Sequence, residues 1–401
     1  MLAYIFCLIA PSIFLAKEAK MKAKRHVEKK EHLLRFFLLL MVLLLVSGQL
    51  YAKNKGTIAL SFPGLDVPMI GETFEVAKQL LNAAGYEVVG HDPQWDSNKQ
   101  RADWDTWISQ GEVDLIAYLI VTDPEPWNSV ARKAKAAGVK LISTNMTLVA
   151  GVDNFMFEDD YTLGYETGKA MANWMQSRFK GAPRKVMVST SENPMFRNRG
   201  QGVIDALAKY YPSAKVLTYN WGDHSATYNA VSNILIANPD CKILFNASEV
   251  AFAGYSAMLD AGISPEDPDA GIFHLNIDNS IIPLYENPKS IFRYAATLHA
   301  VDWALAIASL AINAMEGGPA IPYYATKLPV PKDAAYDQWL GGNLPPGKTK
   351  RKAPVDLKVC YIKDGKWVNP NPTSIWPYLQ NPNIPKELWS KVPDPWRGNL
   401  K

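Results

Sequence analysis

Cysteine is scarce, with three residues in 401. A disulfide scaffold is excluded. Cys7 lies near the N-terminus, and Cys241 and Cys360, both in apolar strand-like runs, read as buried small hydrophobes rather than a pair. Histidine numbers six. His91, His224, His274 and His299 show no ligand spacing, so no metal site is expected. His274, inside a strand, reads as a satisfied core residue. The chain has no Gly-x-Ser-x-Gly elbow and no Gly-x-x-x-x-Gly-Lys loop. No glycine fingerprint follows the first strand, which runs into Phe62-Pro63-Gly64-Leu65-Asp66. Without a nucleophile–base pair, no catalytic residue and no cofactor are expected. Nor does one charge dominate: 42 Lys and Arg stand against 39 Asp and Glu. That balance gives little support for nucleic acid as a partner.

The charges are segregated. Residues 1–52 carry eight basic and three acidic side chains, so 42 less 8 leaves 34 basic and 39 less 3 leaves 36 acidic. Phe36–Val46 is an unbroken apolar run, followed by Ser-Gly-Gln-Leu-Tyr-Ala. Basic stretch, short apolar run and small residue describe an export signal cleaved after Ala52. Eleven residues are short for a membrane helix, and no Cys closes the run to carry a lipid. Met21 opens a better-formed signal than Met1. Translation from Met21 is therefore expected, which N-terminal sequencing of the unprocessed form would test. The protein is expected in the periplasm or outside the cell.

Beyond residue 56 strand and helix alternate. Strand-like runs at 57–62, 86–90, 113–120 and 139–144 are separated by helical periodicity at Phe74, Ala77, Leu81 and Ala84, at Trp104, Trp107 and Ile108, and at Val130, Ala131, Ala134 and Ala137. Gly85 and Gly138 close their helices. The pattern restarts with helix 162–179, capped by Asp159 or Asp160. Strands 185–190, 215–219, 242–246 and 271–277 alternate with helices 199–210, 224–237 and 250–261. A late helix spans 298–315. Such alternation predicts two α/β lobes, each a doubly wound parallel sheet. The stretch 317–354 is rich in Pro, Gly and Tyr, with a basic patch at Lys348, Lys350, Arg351 and Lys352. The tail carries seven prolines and Trp376, Trp389 and Trp396, and reads as an irregular extension held by aromatic anchors.

In open α/β sheets ligands collect at the carboxyl ends of strands. Those ends carry Asp66, Asp123 with Trp127, Asn145, Glu192 to Arg199, Trp221 with Asp223, Ser248 with Glu249, and Asp278 with Asn279. Carboxylates, amides and a guanidinium suit vicinal hydroxyls, and indole faces cover the C–H face of a sugar ring. The same acids and amides also serve as helix caps.

The order of motifs resembles a family. Leu65-Asp66-Val67-Pro68 follows the opening strand; Val113-Asp114-Leu115-Ile116 and Gly138-Val139-Lys140-Leu141-Ile142 match the third and fourth. Glu158-Asp159-Asp160 with Gly164 and Gly168 matches the crossover. Arg197-Asn198-Arg199-Gly200-Gln201-Gly202, Ile277-Asp278 and Ala353-Pro354-Val355-Asp356-Leu357-Lys358 follow in register. Together they resemble the type I periplasmic sugar-binding proteins of ABC importers, of which the ribose-binding proteins are familiar members.

That resemblance implies two lobes joined by a three-crossing hinge. The N-terminal lobe would comprise 56–158 and 299–354, the C-terminal lobe 159–298 and 355–362, and the extension 363–401. A sugar or polyol would bind between the lobes, and the closed form would meet ABC permease subunits as a monomer. Arg199 would grip ring hydroxyls, so that Arg199→Ala weakens binding without unfolding the lobe. Asp278 would accept from them. Asn145, Ser248 and Thr297 occupy family site positions, and Trp221 lies beside one often held by Phe. Where relatives place two stacking aromatics this chain has Met69 and Ile70, and Trp127 or Trp95 is expected to supply the missing surface. Two rivals remain: a secreted sensor serving a chemoreceptor or histidine kinase, and an enzyme on the same lobes. A DNA-binding repressor of related fold is disfavoured, because the leader stands where its helix-turn-helix would be.

Overall fold

A computed structural model describes residues 54–400 apart from 249, 278–280, 299, 331, 333–356 and 372–380. The leader with its Met21 start, Glu249, Asp278, the basic patch and Trp376 lie outside the described residues.

The first sheet is built from β1 (Thr57–Ser61), β2 (Glu87–Val89), β3 (Leu115–Tyr118), β4 (Lys140–Ser143) and β5 (Asn154–Phe157), in the order β2-β1-β3-β4-β5, all parallel. Its helices are α1 (Pro68–Ala83), α2 (Ser97–Gln110) and α3 (Asn128–Ala136). Pro68 opens α1 at a position whose N–H would have no helical partner. Asp96 caps α2 by accepting from Asn98 N at 2.8 Å. Gly85 and Gly138 adopt the left-handed φ expected after α1 and α3.

The second sheet repeats the plan with α4 (Asp160–Phe179), β6 (Arg184–Thr190), α5 (Pro194–Tyr210), β7 (Ala214–Asn220), α6 (His224–Ala237), β8 (Ile243–Asn246), α7 (Ala251–Asp260), β9 (Gly271–Leu275), α8 (Ile282–Glu286) and β10 (Phe292–Thr297). The order is β7-β6-β8-β9-β10, again parallel. Asp159, not Asp160, caps α4. Helix α5 begins five residues before the periodicity suggested. Asn193 caps it and Pro194 fills its first turn, a start signal that resembles a loop.

The chain then returns through α9 (Ala300–Met315) to the first lobe. The short β11 (Tyr323–Tyr324) extends the first sheet beside β5, and β12 (Leu328–Pro329) adds an antiparallel edge to the second beside β10. Among the described residues, three connections thus cross between lobes, through Glu158, Leu298 and Lys327. This is the type I periplasmic binding protein architecture.

Two expected boundaries change: β12 falls within 299–354, expected in the first lobe, yet it pairs with β10 and Val330 packs in the second lobe's core. Segment 355–362 was placed in the second lobe, but β12 already covers that sheet edge. Leu357, Val359 and Cys360 instead pack into the first lobe's core, where Cys360 N donates to Ser309 Oγ of α9 at 2.9 Å. A hairpin, β13 (Tyr361–Lys363) with β14 (Lys366–Val368), follows. That cover explains why α9 is buried on every side from Ala300 to Ile312. Cys241 and Cys360 are buried and free, in the cores of different lobes.

Candidate functional site

The first crossing brings Glu158 and Asp160 to the base of the cleft between the sheets. Helices α4 and α5 touch there along glycines. A Cβ on Gly164 would lie 1.9 Å from Arg199 O, and one on Gly202 2.2 Å from Tyr161 O. This contact lets Arg199 reach back across α4. Its Nε donates to Asp160 Oδ1 at 2.8 Å, its Nη2 to Glu158 Oε2 at 2.7 Å and its Nη1 to Ala247 O at 3.0 Å. From the third crossing, Lys327 Nζ donates to Glu158 Oε1 at 2.5 Å. All four side chains are buried. Burial works against the Glu158 charge, but Lys327 and Arg199 outweigh it and hold the carboxyl below its usual range. Burial pushes Asp160 up to about 7 despite the pull of Arg199, with Glu158 adding to the rise. Burial also lowers Lys327.

Above this cluster lies a cavity of about 40 Å³ walled by both lobes. The first lobe contributes Met69 of α1, Leu119 and Val121 after β3, Thr144 and Asn145 after β4, Met156 of β5 and Trp303 of α9. The second contributes Met195, Phe196 and Arg199 of α5, Ser248 after β8 and Asn276 after β9, while Glu158, Leu298 and Lys327 come from the crossings. Room for roughly three waters at ~10–15 Å³ each is too little for a sugar ring.

Four of the expected residues line this cavity: Met69, Asn145, Arg199 and Ser248. Trp221 stands behind it, stacked on Phe196 with ring centres 4.0 Å apart and donating from Nε1 to Ser248 Oγ at 2.6 Å. Thr297 is buried beneath, its hydroxyl accepting from Ile277 N and donating to Leu298 O. Asp66 is exposed and takes the Trp95 indole N–H at 2.7 Å, which places both outside the lining. Trp127 does not supply an aromatic wall. It is 1% exposed, packed on Trp104 in the first lobe's core, where its bulk fills the layer beneath α2 and α3. Glu249 and Asp278 lie outside the described residues. The aromatic surface comes instead from Trp303 and Phe196, and Glu158 and Lys327 join the site unannounced. Trp303 sits in a helix whose apolar pattern reads as core alone.

A model of the periplasmic binding protein domain matches residues 58–312. The chain belongs to the periplasmic binding protein family. No curated protein sequence matches it significantly. Among solved structures, this periplasmic binding protein is similar to an ABC transporter solute binding protein from Mycobacterium smegmatis with bound glycerol. Identity is 18%, with 74% of this chain and 99% of the other covered, at a TM-score of 0.63. A second M. smegmatis protein, in complex with beta-D-fucofuranose, is 19% identical over 69% of this chain and 91% of its own, at 0.60. An ABC sugar transporter subunit from Rhodobacter sphaeroides is 16% identical over 70% and 99%, at 0.59. In this periplasmic binding protein the cavity sits where the carboxyl ends of both sheets face each other, between lobes that the described crossings join.

Proposed function

We propose that this protein captures a sugar or sugar-like polyol between its lobes and delivers it to an ABC import permease. The observation that carries the reading is the cavity: both lobes and the hinge contribute polar side chains to one buried space. Contacts from both lobes favour the closed form when ligand is present. The ligands and transporter context of the similar solved structures support the same class. Asn145, Ser248 and Thr144 are the direct hydrogen-bonding side chains, and Arg199 with Glu158 forms the charged floor. Export through the leader would place the protein where such a ligand is met.

A thermal-shift screen against a sugar and polyol library tests this. Ligand at 100 times its Kd stabilises the native state by about 2.7 kcal/mol, a rise of a few degrees for a chain of this size. A library that moves the transition nowhere, while amino acids or peptides do, removes the sugar reading. Transport assays in a strain lacking the protein then test delivery.

A further inference from the structure

Trp221 reaches the wall of the cavity from behind. It follows β7, the edge strand of the second sheet, and Ser248 follows β8, with β6 between them. Two strand spacings are about 9–10 Å, and the tryptophan bridges that span across the carboxyl end of β6. Its root is fixed: Trp221 N donates to Thr190 O at 2.6 Å, one step beyond the last paired residues of β6 and β7. At its far end Nε1 donates to Ser248 Oγ at 2.6 Å, and its ring lies 20° from parallel to that of Phe196. Ser248 and Phe196 are both 1% exposed and both line the cavity. The backbone of Ser248 is held separately, its N donating to Asn246 Oδ1 at 3.0 Å. That bond leaves open the rotation about Cα–Cβ, which has three staggered positions. The indole N–H selects one of them.

Granting the sugar reading above, we infer that Trp221 is a positioning residue: it acts through Ser248 and Phe196, holding a hydroxyl and an aromatic ring of the second-lobe wall where a ligand meets them. A side chain that only anchored the edge of the sheet would support the fold alone. One that orients Ser248 changes affinity only while the Ser248 hydroxyl is there to be oriented.

Trp221→Phe keeps a ring against Phe196 and deletes the N–H. Titration calorimetry on the purified protein compares the parent, Trp221→Phe, Ser248→Ala and the double variant. The probe is the tightest binder among D-ribose, D-galactose, L-rhamnose, allitol and the other members of the sugar and polyol library. With Ser248 present, Trp221→Phe should weaken binding about fivefold, the worth of one neutral hydrogen bond. In the Ser248→Ala background it should weaken binding less than about twofold, because the group it positions is gone. An equal loss in both backgrounds, or no loss in either, overturns the inference and leaves the sugar reading standing. Failure of the parent to bind any member of the library removes both. A ligand-free measurement decides the matter should Trp221→Phe not fold or Ser248→Ala bind too weakly to titrate. In the 15N-labelled protein the Trp221 indole N–H resonance should move upfield on Ser248→Ala, as loss of a short hydrogen bond requires. An unmoved resonance overturns the inference.

Discussion

Asn193 Nδ2, at the start of α5 in the second lobe, donates to the Thr122 carbonyl of the first lobe at 2.8 Å. Its Oδ1 accepts from Met195 N at 2.9 Å and caps its own helix. One side chain therefore serves a helix and a lobe-to-lobe contact through different atoms. Asn193→Asp keeps the cap and deletes the donor. Loss of a neutral hydrogen bond worth about 1 kcal/mol should raise the open population roughly fivefold without ligand. Solution X-ray scattering reads this as a larger radius of gyration, and an unchanged curve refutes the latch.

Arg199→Ala was expected to spare the fold. The structure reverses that expectation. Its removal strands Glu158 and Asp160 as buried carboxylates, one of them without a cation, at a cost of about 3–5 kcal/mol. Urea unfolding should show a clear fall in midpoint. A midpoint equal to the parent's would return Arg199 to a purely ligand-binding role.

Acid should weaken the second lobe through His274. Burial lowers its pKa to about 4, with Nδ1 donating to Asn276 O at 2.7 Å and Nε2 without a partner. A lowered folded pKa gives stability that is complete above the ordinary 6.5 and disappears as pH falls toward 4. At 1.36 kcal/mol per unit, about 3 kcal/mol is at stake. Asp160 acts in the opposite sense: its contribution is full below about 4 and is lost as pH rises through about 7. The comparison must therefore be made with His274→Gln, whose stability should fall less than the parent's between pH 7 and 4.5. Parallel pH curves would clear His274.

The tail should stiffen the first lobe's edge. Trp396 meets Phe155 edge-on at 5.0 Å and donates to Asp153 O at 2.9 Å, while Ile384 and Val392 pack beside it. Lys391 pairs with Asp159, the cap of α4. In Trp396→Ala, loss of this packing should speed hydrogen exchange at residues 153–157 and 320–324 by at least tenfold. Exchange confined to the tail would show that it merely rests there.

Both thiols should resist reagents in the native state. Burial pushes Cys241 and Cys360 up to about 11, so little thiolate forms at neutral pH. A disulfide-forming reagent should react with neither until denaturant is added. Prompt reaction at either would contradict the burial.

The repeated strand–helix alternation was legible because parallel sheets covered on both faces leave long apolar strands punctuated by glycine. Short strands were not. Residues Asn154–Phe157 and Phe292–Thr297 carry too few residues, or too much polarity, to announce themselves. The strand-end rule located Asn145, Arg199 and Ser248 at the cavity. It misread Trp127 because a tryptophan near a strand end fills a core equally well. Trp303 was hidden in the apolar pattern of α9, and Lys327 in a segment without periodicity. Its partner Glu158 lies 169 residues earlier, a separation no local pattern spans.

That pairing has a mechanical consequence. Glu158 belongs to the first crossing strand and Lys327 to the third, so the ion pair ties two of the crossings into a single ribbon. Separate strands would twist independently and let the lobes wobble about several axes. Tied crossings would bend together, and any swing of the lobes would then follow one axis, as a door on one pin rather than a ball in a socket.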